Sequence, residues 1–110
     1  MPSVAVIGAS NDRNKFGNKA VRAYASKGYT VYPIHPKEAV IEGLRAYPSV
    51  LSVPTDILDL VAFYIPPVVG MKVIEEVAKK KVGEVWLNPG TESDELIQRA
   101  ESLGLTTIEA

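Results

Sequence analysis

The 110-residue sequence sets 12 lysines and arginines against 13 aspartates and glutamates, for a net charge of −1, and holds no cysteine. That balance excludes a strong global field for nucleic acid or anionic membranes. The missing thiols exclude disulfides, thiolate metal sites and a cysteine nucleophile. The length suits one compact domain, expected over residues 1–110. No apolar run approaches the roughly 18 residues of a membrane span. The opening residues read as a strand rather than a signal peptide, so a cytoplasmic location is expected.

Val4-Ala5-Val6-Ile7 is a continuous apolar run, the pattern of a strand buried on both faces, and Gly8 ends it. A polar loop runs from Gly8 to Gly17. Ala20, Val21, Tyr24 and Ala25 then recur at helical spacing, with Gly28 placed as a C′ stop. Thr30–Ile34 is the second strand. Pro33 within it lacks an N–H and so points to the strand end or a less paired side. His35-Pro36-Lys37 follows, and Gly43–Tyr47 is expected as a third, shorter strand.

Pro48–Asp56 reads as a connection with a short helical piece. Leu60–Ile65 is the next buried strand, ended by Pro66-Pro67. Val69, Val73, Ile74, Val77 and Ala78 mark a helix to about Lys81. The Lys79-Lys80-Lys81 run is a solvated face suited to a helix C-terminus. Val85–Leu87 is a strand and Asn88-Pro89-Gly90 a turn. Thr91 and Asp94 have capping-box spacing. Leu96, Ile97, Ala100 and Leu103 mark the last helix, Gly104 its stop, and Leu105–Ile108 the final strand.

Strands alternating with helices predict an α/β, Rossmann-like three-layer fold. The expected sheet is mostly parallel, in the order 3-2-1-4-5 with a short edge strand, and has helices on both faces. In such sheets ligands bind outside the carboxyl ends of the strands. Four loops share that place: Gly8–Gly17, His35–Lys37, Ile65–Pro67 and Asn88–Gly90.

In the first loop Gly8 admits a ligand to the backbone, Ser10 and Asn11 donate hydrogen bonds, and the helix start is electropositive. Ala9, Arg13, Lys15, Phe16, Gly17 and Asn18 complete its candidate contacts. The spacing is neither G-x-G-x-x-G nor a P-loop. After the second strand, where an NAD site carries an acidic residue, stand Ile34-His35-Pro36-Lys37, with no carboxylate before Glu38. A lysine there suits a phosphate on the ribose, which leaves NADP or a 3′-phosphorylated nucleotide such as coenzyme A. Ser10 qualifies as a nucleophile only if His35, the one histidine, comes within hydrogen-bond reach.

The run Val4–Ser10, the stretch Lys27–Lys37, Gly43, Tyr47-Pro48-Ser49 and Val85-Trp86-Leu87 together resemble the stand-alone CoA-binding proteins. These are similar to the N-terminal domain of the succinyl-CoA synthetase α subunit. The resemblance implies a domain that binds coenzyme A. The diphosphate would lie on the Gly8–Gly17 loop and the nucleotide end near His35, Pro36 and Lys37. The pantetheine arm would pass Ile65, Pro66 and Pro67 and then Asn88, Pro89 and Gly90. Where the family usually has Asn-Pro, this chain has His35-Pro36. The synthetase's phosphorylated histidine belongs to a second domain without counterpart in these residues, and His35 does not inherit its role. The expectation is a CoA or acyl-CoA binder that is non-catalytic by itself. The alternatives are a small NADP-dependent or acyl-CoA-processing enzyme, or a subunit that works with an ATP-grasp partner.

Overall fold

The computed structural model describes residues 2–110; Met1, which the single-domain expectation includes, lies outside them. The elements are β1 (Ser3–Ile7), α1 (Phe16–Ser26), β2 (Thr30–Ile34), β3 (Val40–Ile41), β4 (Leu44–Arg45), a 3₁₀ turn (Val50–Ser52), β5 (Ile57–Phe63), α2 (Pro67–Val77), β6 (Lys81–Leu87), α3 (Asp94–Ser102) and β7 (Thr107–Glu109). Five strands form a parallel sheet in the order β2-β1-β5-β6-β7. The strand order reverses beside β1, so the carboxyl ends of β1 and β5 open at a switch point.

Each face of the sheet carries its own core, because side chains alternate along a strand. Val4 and Val6 pack with Ala20 and Val21 of α1 and with Ile41 of the small hairpin. Ala5 and Ile7 pack with Ile74 and Val77 of α2 and Leu96 and Ala100 of α3. The central strands are covered on both sides, which is why β1 reads as an unbroken apolar run. No helix among the described residues is long and apolar enough to cross a membrane.

Several boundaries depart from the sequence reading. The segment Gly43–Tyr47 is not a third strand of the main sheet. Leu44 and Arg45 pair instead with Val40 and Ile41 in a two-stranded hairpin, turned at Glu42 with φ 50°. Only Tyr47 reaches the sheet, bridging Ile34 on the edge where the third strand was expected. Its N–H donates to Pro33 O, and its carbonyl accepts from the N–H of His35. β5 ends at Phe63, so Tyr64 and Ile65 belong to the loop. β6 begins at Lys81, four residues before the apolar core of the strand.

The cap of α3 is Ser93, whose hydroxyl accepts from Leu96 N–H; Thr91 instead donates to Asn88 O. Lys80 is not solvated. Its side chain is only 7% exposed, and Nζ donates to Val53 O at 3.1 Å and Thr55 O at 2.7 Å, closing the loop before β5.

Candidate functional site

Three adjoining cavities lie at the carboxyl ends of the strands. The largest, about 500 Å³, is walled by Gly8 and the start of α1, by Tyr64, Ile65 and Pro66, and by Pro89, Gly90 and Thr91. A second, about 240 Å³, shares Gly8 and Ile65 with it and extends past His35 and Pro36 to Ser49, Val69 and Glu76. A third, about 210 Å³, shares Phe16, Tyr64 and Pro89 with the first and is completed by Asn88. The four loops of the sequence reading therefore meet along one crevice.

The floor of the crevice is set by two glycines. Gly8 has φ +91°, and a Cβ there would stand 2.6 Å from Tyr64 O. Gly17, in the first turn of α1, presses on the Gly8 carbonyl so closely that a Cβ would overlap it. This contact brings the positive end of α1 beside Gly8. Lys15 is the N-cap and gives no side-chain cap, and the first turn holds no acidic residue. Among the described residues nothing accepts from the N–H groups of Phe16 and Gly17. The helix thus opens into the largest cavity with donors and a partial positive charge unspent. The Lys15 residue lines the same cavity.

Other candidate donors of this loop are engaged by the protein. Ser10 Oγ accepts from Asp12 N–H. Asn11 Nδ2 donates to Glu38 Oε2 and to Val40 O. Asn18, fully buried, donates to Ser10 O and Glu42 Oε2 and accepts from Arg22 Nε. Arg13 Nε stands 3.5 Å from Glu42 Oε2. Asn11, Arg13 and Asn18 therefore tie the chain between Glu38 and Glu42 to the loop, and Ala9 is buried beneath it. These residues line none of the three cavities.

His35 Nδ1 accepts from the backbone N–H groups of Lys37 and Glu38. No hydrogen bond joins Ser10 and His35 among the described residues. His35 and Pro36 line the second cavity, while Lys37 is exposed just beyond it. Pro66 is the N-cap of α2 and Pro67 its first helical residue, a position where proline needs no N–H partner, and Val68 is exposed beside them. Asn88 Nδ2 donates to Phe63 O, fixing the end of β6 to that of β5.

The crevice also uses residues that sequence reasoning passed over. Tyr64 lines two of the cavities, and burial raises its phenol above the ordinary value of 10.0. Asn14 and Thr91 line the first cavity. Ser49 and Glu76, joined by a 2.6 Å hydrogen bond, wall the second. Tyr64 precedes a proline pair at a strand end, and Thr91 follows a Pro-Gly turn; both signals were present. Ser49 belongs to the Tyr47-Pro48-Ser49 stretch that carries the resemblance, but nothing local pairs it with Glu76, which stands 27 residues away. No cluster of three or more metal-ligating side chains occurs among the described residues.

The chain belongs to the family described as the CoA binding domain, whose model matches residues 2–110. It is 42% identical over 89 residues to an ADP-forming acetate–CoA ligase of Methanocaldococcus jannaschii, covering 80% of this chain and 12% of that protein. It is 30% identical over 116 residues to the α subunit of ADP-forming acetate–CoA ligase II of Pyrococcus furiosus, covering 96% of this chain and 25% of that protein. The chain therefore spans a quarter or less of the length of these curated relatives. Among solved structures, a conserved hypothetical protein from Pyrococcus furiosus superposes with a TM-score of 0.91 at 34% identity. That match covers 100% of this chain and 94% of the other.

Proposed function

We propose that this chain binds coenzyme A or an acyl-CoA in the crevice at the carboxyl ends of β1, β2, β5 and β6, and does no chemistry alone. One observation carries the reading: the uncapped first turn of α1 opens beside Gly8 into the largest cavity. Two free N–H groups, the helix dipole and the Lys15 residue suit a diphosphate. The nucleotide end belongs near His35, Pro36 and Lys37, and the pantetheine arm along Ile65–Pro67 and Asn88–Gly90. Coenzyme A supplies a thiol that carries acyl groups as thioesters; the protein's part is to hold and orient it. Calorimetric titration tests this: CoA should bind with measurable heat, and its absence with CoA and acyl-CoA at millimolar ligand would reject the proposal.

A partner carrying an ATP-grasp domain would complete a ligase, and the naming of one relative as an α subunit supports that extension. Co-purification with such a partner, and acyl-CoA formation only when both are present, is the test.

A further inference from the structure

We infer that the slot between Phe16, Tyr64 and Pro89 receives the acyl end of an acyl-CoA and favours short, apolar acyl groups. This rests on the CoA-binding reading above and adds a selectivity that the reading does not contain.

The argument starts from the order of the cavities. The second meets the first at Gly8 and Ile65; the first meets the third at Phe16, Tyr64 and Pro89. The three therefore follow one another along the crevice, with the α1 N-terminus in the middle. A ligand whose diphosphate lies at that N-terminus and whose nucleotide lies towards His35 extends its other end towards Phe16 and Pro89. In CoA that end is the thiol, the atom that carries the acyl group.

The chemistry of the slot fits an apolar terminal group. Its walls are two aromatic rings, a proline and Asn88, with no charged side chain. One N–H of the Asn88 amide is already donated to Phe63 O. The Tyr64 phenol is uncharged near neutral pH, and partial burial raises its pKa further. Phe16 is 73% exposed at the mouth, with Lys19 Nζ 5.1 Å from its ring centroid. Covering this exposed ring with an apolar group removes apolar area from water, which is favourable. The volume of about 210 Å³ lies below the roughly 300–1,000 Å³ of sites that enclose whole ligands. It therefore suits a terminal group of a few carbons.

The experiment compares dissociation constants of CoA, acetyl-CoA, butyryl-CoA and succinyl-CoA for the intact chain by calorimetry. Burying the three alkyl carbons beyond the thioester carbonyl should make butyryl-CoA bind about tenfold tighter than CoA. Succinyl-CoA, with its terminal carboxylate, should bind no tighter than CoA. Phe16→Ala should bring the CoA to butyryl-CoA ratio close to one; Phe16 is exposed, so the variant keeps the core intact. Equal affinity of CoA and butyryl-CoA for the unmodified chain would overturn the inference and leave the CoA-binding reading standing. Failure of all four ligands to bind would overturn both.

Discussion

Gly17 and Gly8 meet so closely that a Cβ on Gly17 would overlap the Gly8 carbonyl oxygen. The contact fixes where α1 begins relative to the end of β1, and so where its free N–H groups open. Gly17→Ala must push the helix away from the strand. We expect a loss of about 3 kcal/mol in urea denaturation, the upper range for overpacking. Gly28, at φ +87° with nothing within 4 Å of a Cβ, is the control. Gly28→Ala should cost only about 1–2 kcal/mol, from the left-handed backbone alone. Equal losses would show that the Gly8–Gly17 contact is not tight.

Lys80 is the buried member of a charged run. Its ammonium satisfies the carbonyls of Val53 and Thr55. Lys80→Met keeps the stem but leaves Thr55 O without a donor, while Val53 O keeps the Thr55 N–H, and should cost about 1–3 kcal/mol. Lys79 is exposed, so Lys79→Met should lie within about 0.5 kcal/mol of the unmodified chain. Chemical denaturation of the two variants separates the cases.

Two carboxylates give the fold an acid-sensitive component. Asp59 is held below its ordinary value of 3.8 chiefly by the Ser3 backbone N–H and then by the Ser3 hydroxyl. Glu75 is held below 4.5 chiefly by its hydrogen bonds from Arg99. A lowered folded pKa contributes stability that is present above the ordinary value and is lost as pH falls through the folded value. The melting temperature should therefore fall more steeply between about pH 5 and pH 2 for the unmodified chain than for an Asp59→Asn, Glu75→Gln double variant. Parallel curves would refute the assignment.

Lys37 is exposed beside the second cavity, and its neighbour Glu38 is bound by Asn11. If the lysine meets the 3′-phosphate of CoA, Lys37→Ala should weaken CoA by about 1–3 kcal/mol, the range of a charge-assisted contact. It should leave dephospho-CoA unchanged, because that ligand lacks the phosphate. Equal losses for both ligands, read by calorimetry, would remove Lys37 from the site.

The sheet was legible where apolar runs announce strands buried on both faces, as in Val4–Ile7 and Leu60–Phe63. The ends were not. Lys81, Gly83 and Glu84 are exposed, and so β6 begins without an apolar signal. Gly43–Tyr47 has the composition of a strand, but the turn at Glu42 commits Leu44 and Arg45 to a hairpin. At the site, the loops and the helix start followed from the strand–turn–helix order. The contacts of Asn11, Arg13 and Asn18 with the segment from Glu38 to Glu42 did not. Their partners Glu38 and Glu42 lie 24 to 29 residues away, and a polar side chain in a phosphate-like loop looks the same in sequence whether it faces a ligand or a strap of its own chain.

The central claim is that the open first turn of α1 holds the diphosphate. Amide-resolved NMR during a CoA titration reads it directly. The account predicts that the N–H signals of Phe16 and Gly17, with Gly8 beside them, shift most and saturate together with the calorimetric binding curve. If CoA binds while those three amides stay unmoved, the diphosphate lies elsewhere and the account is contradicted.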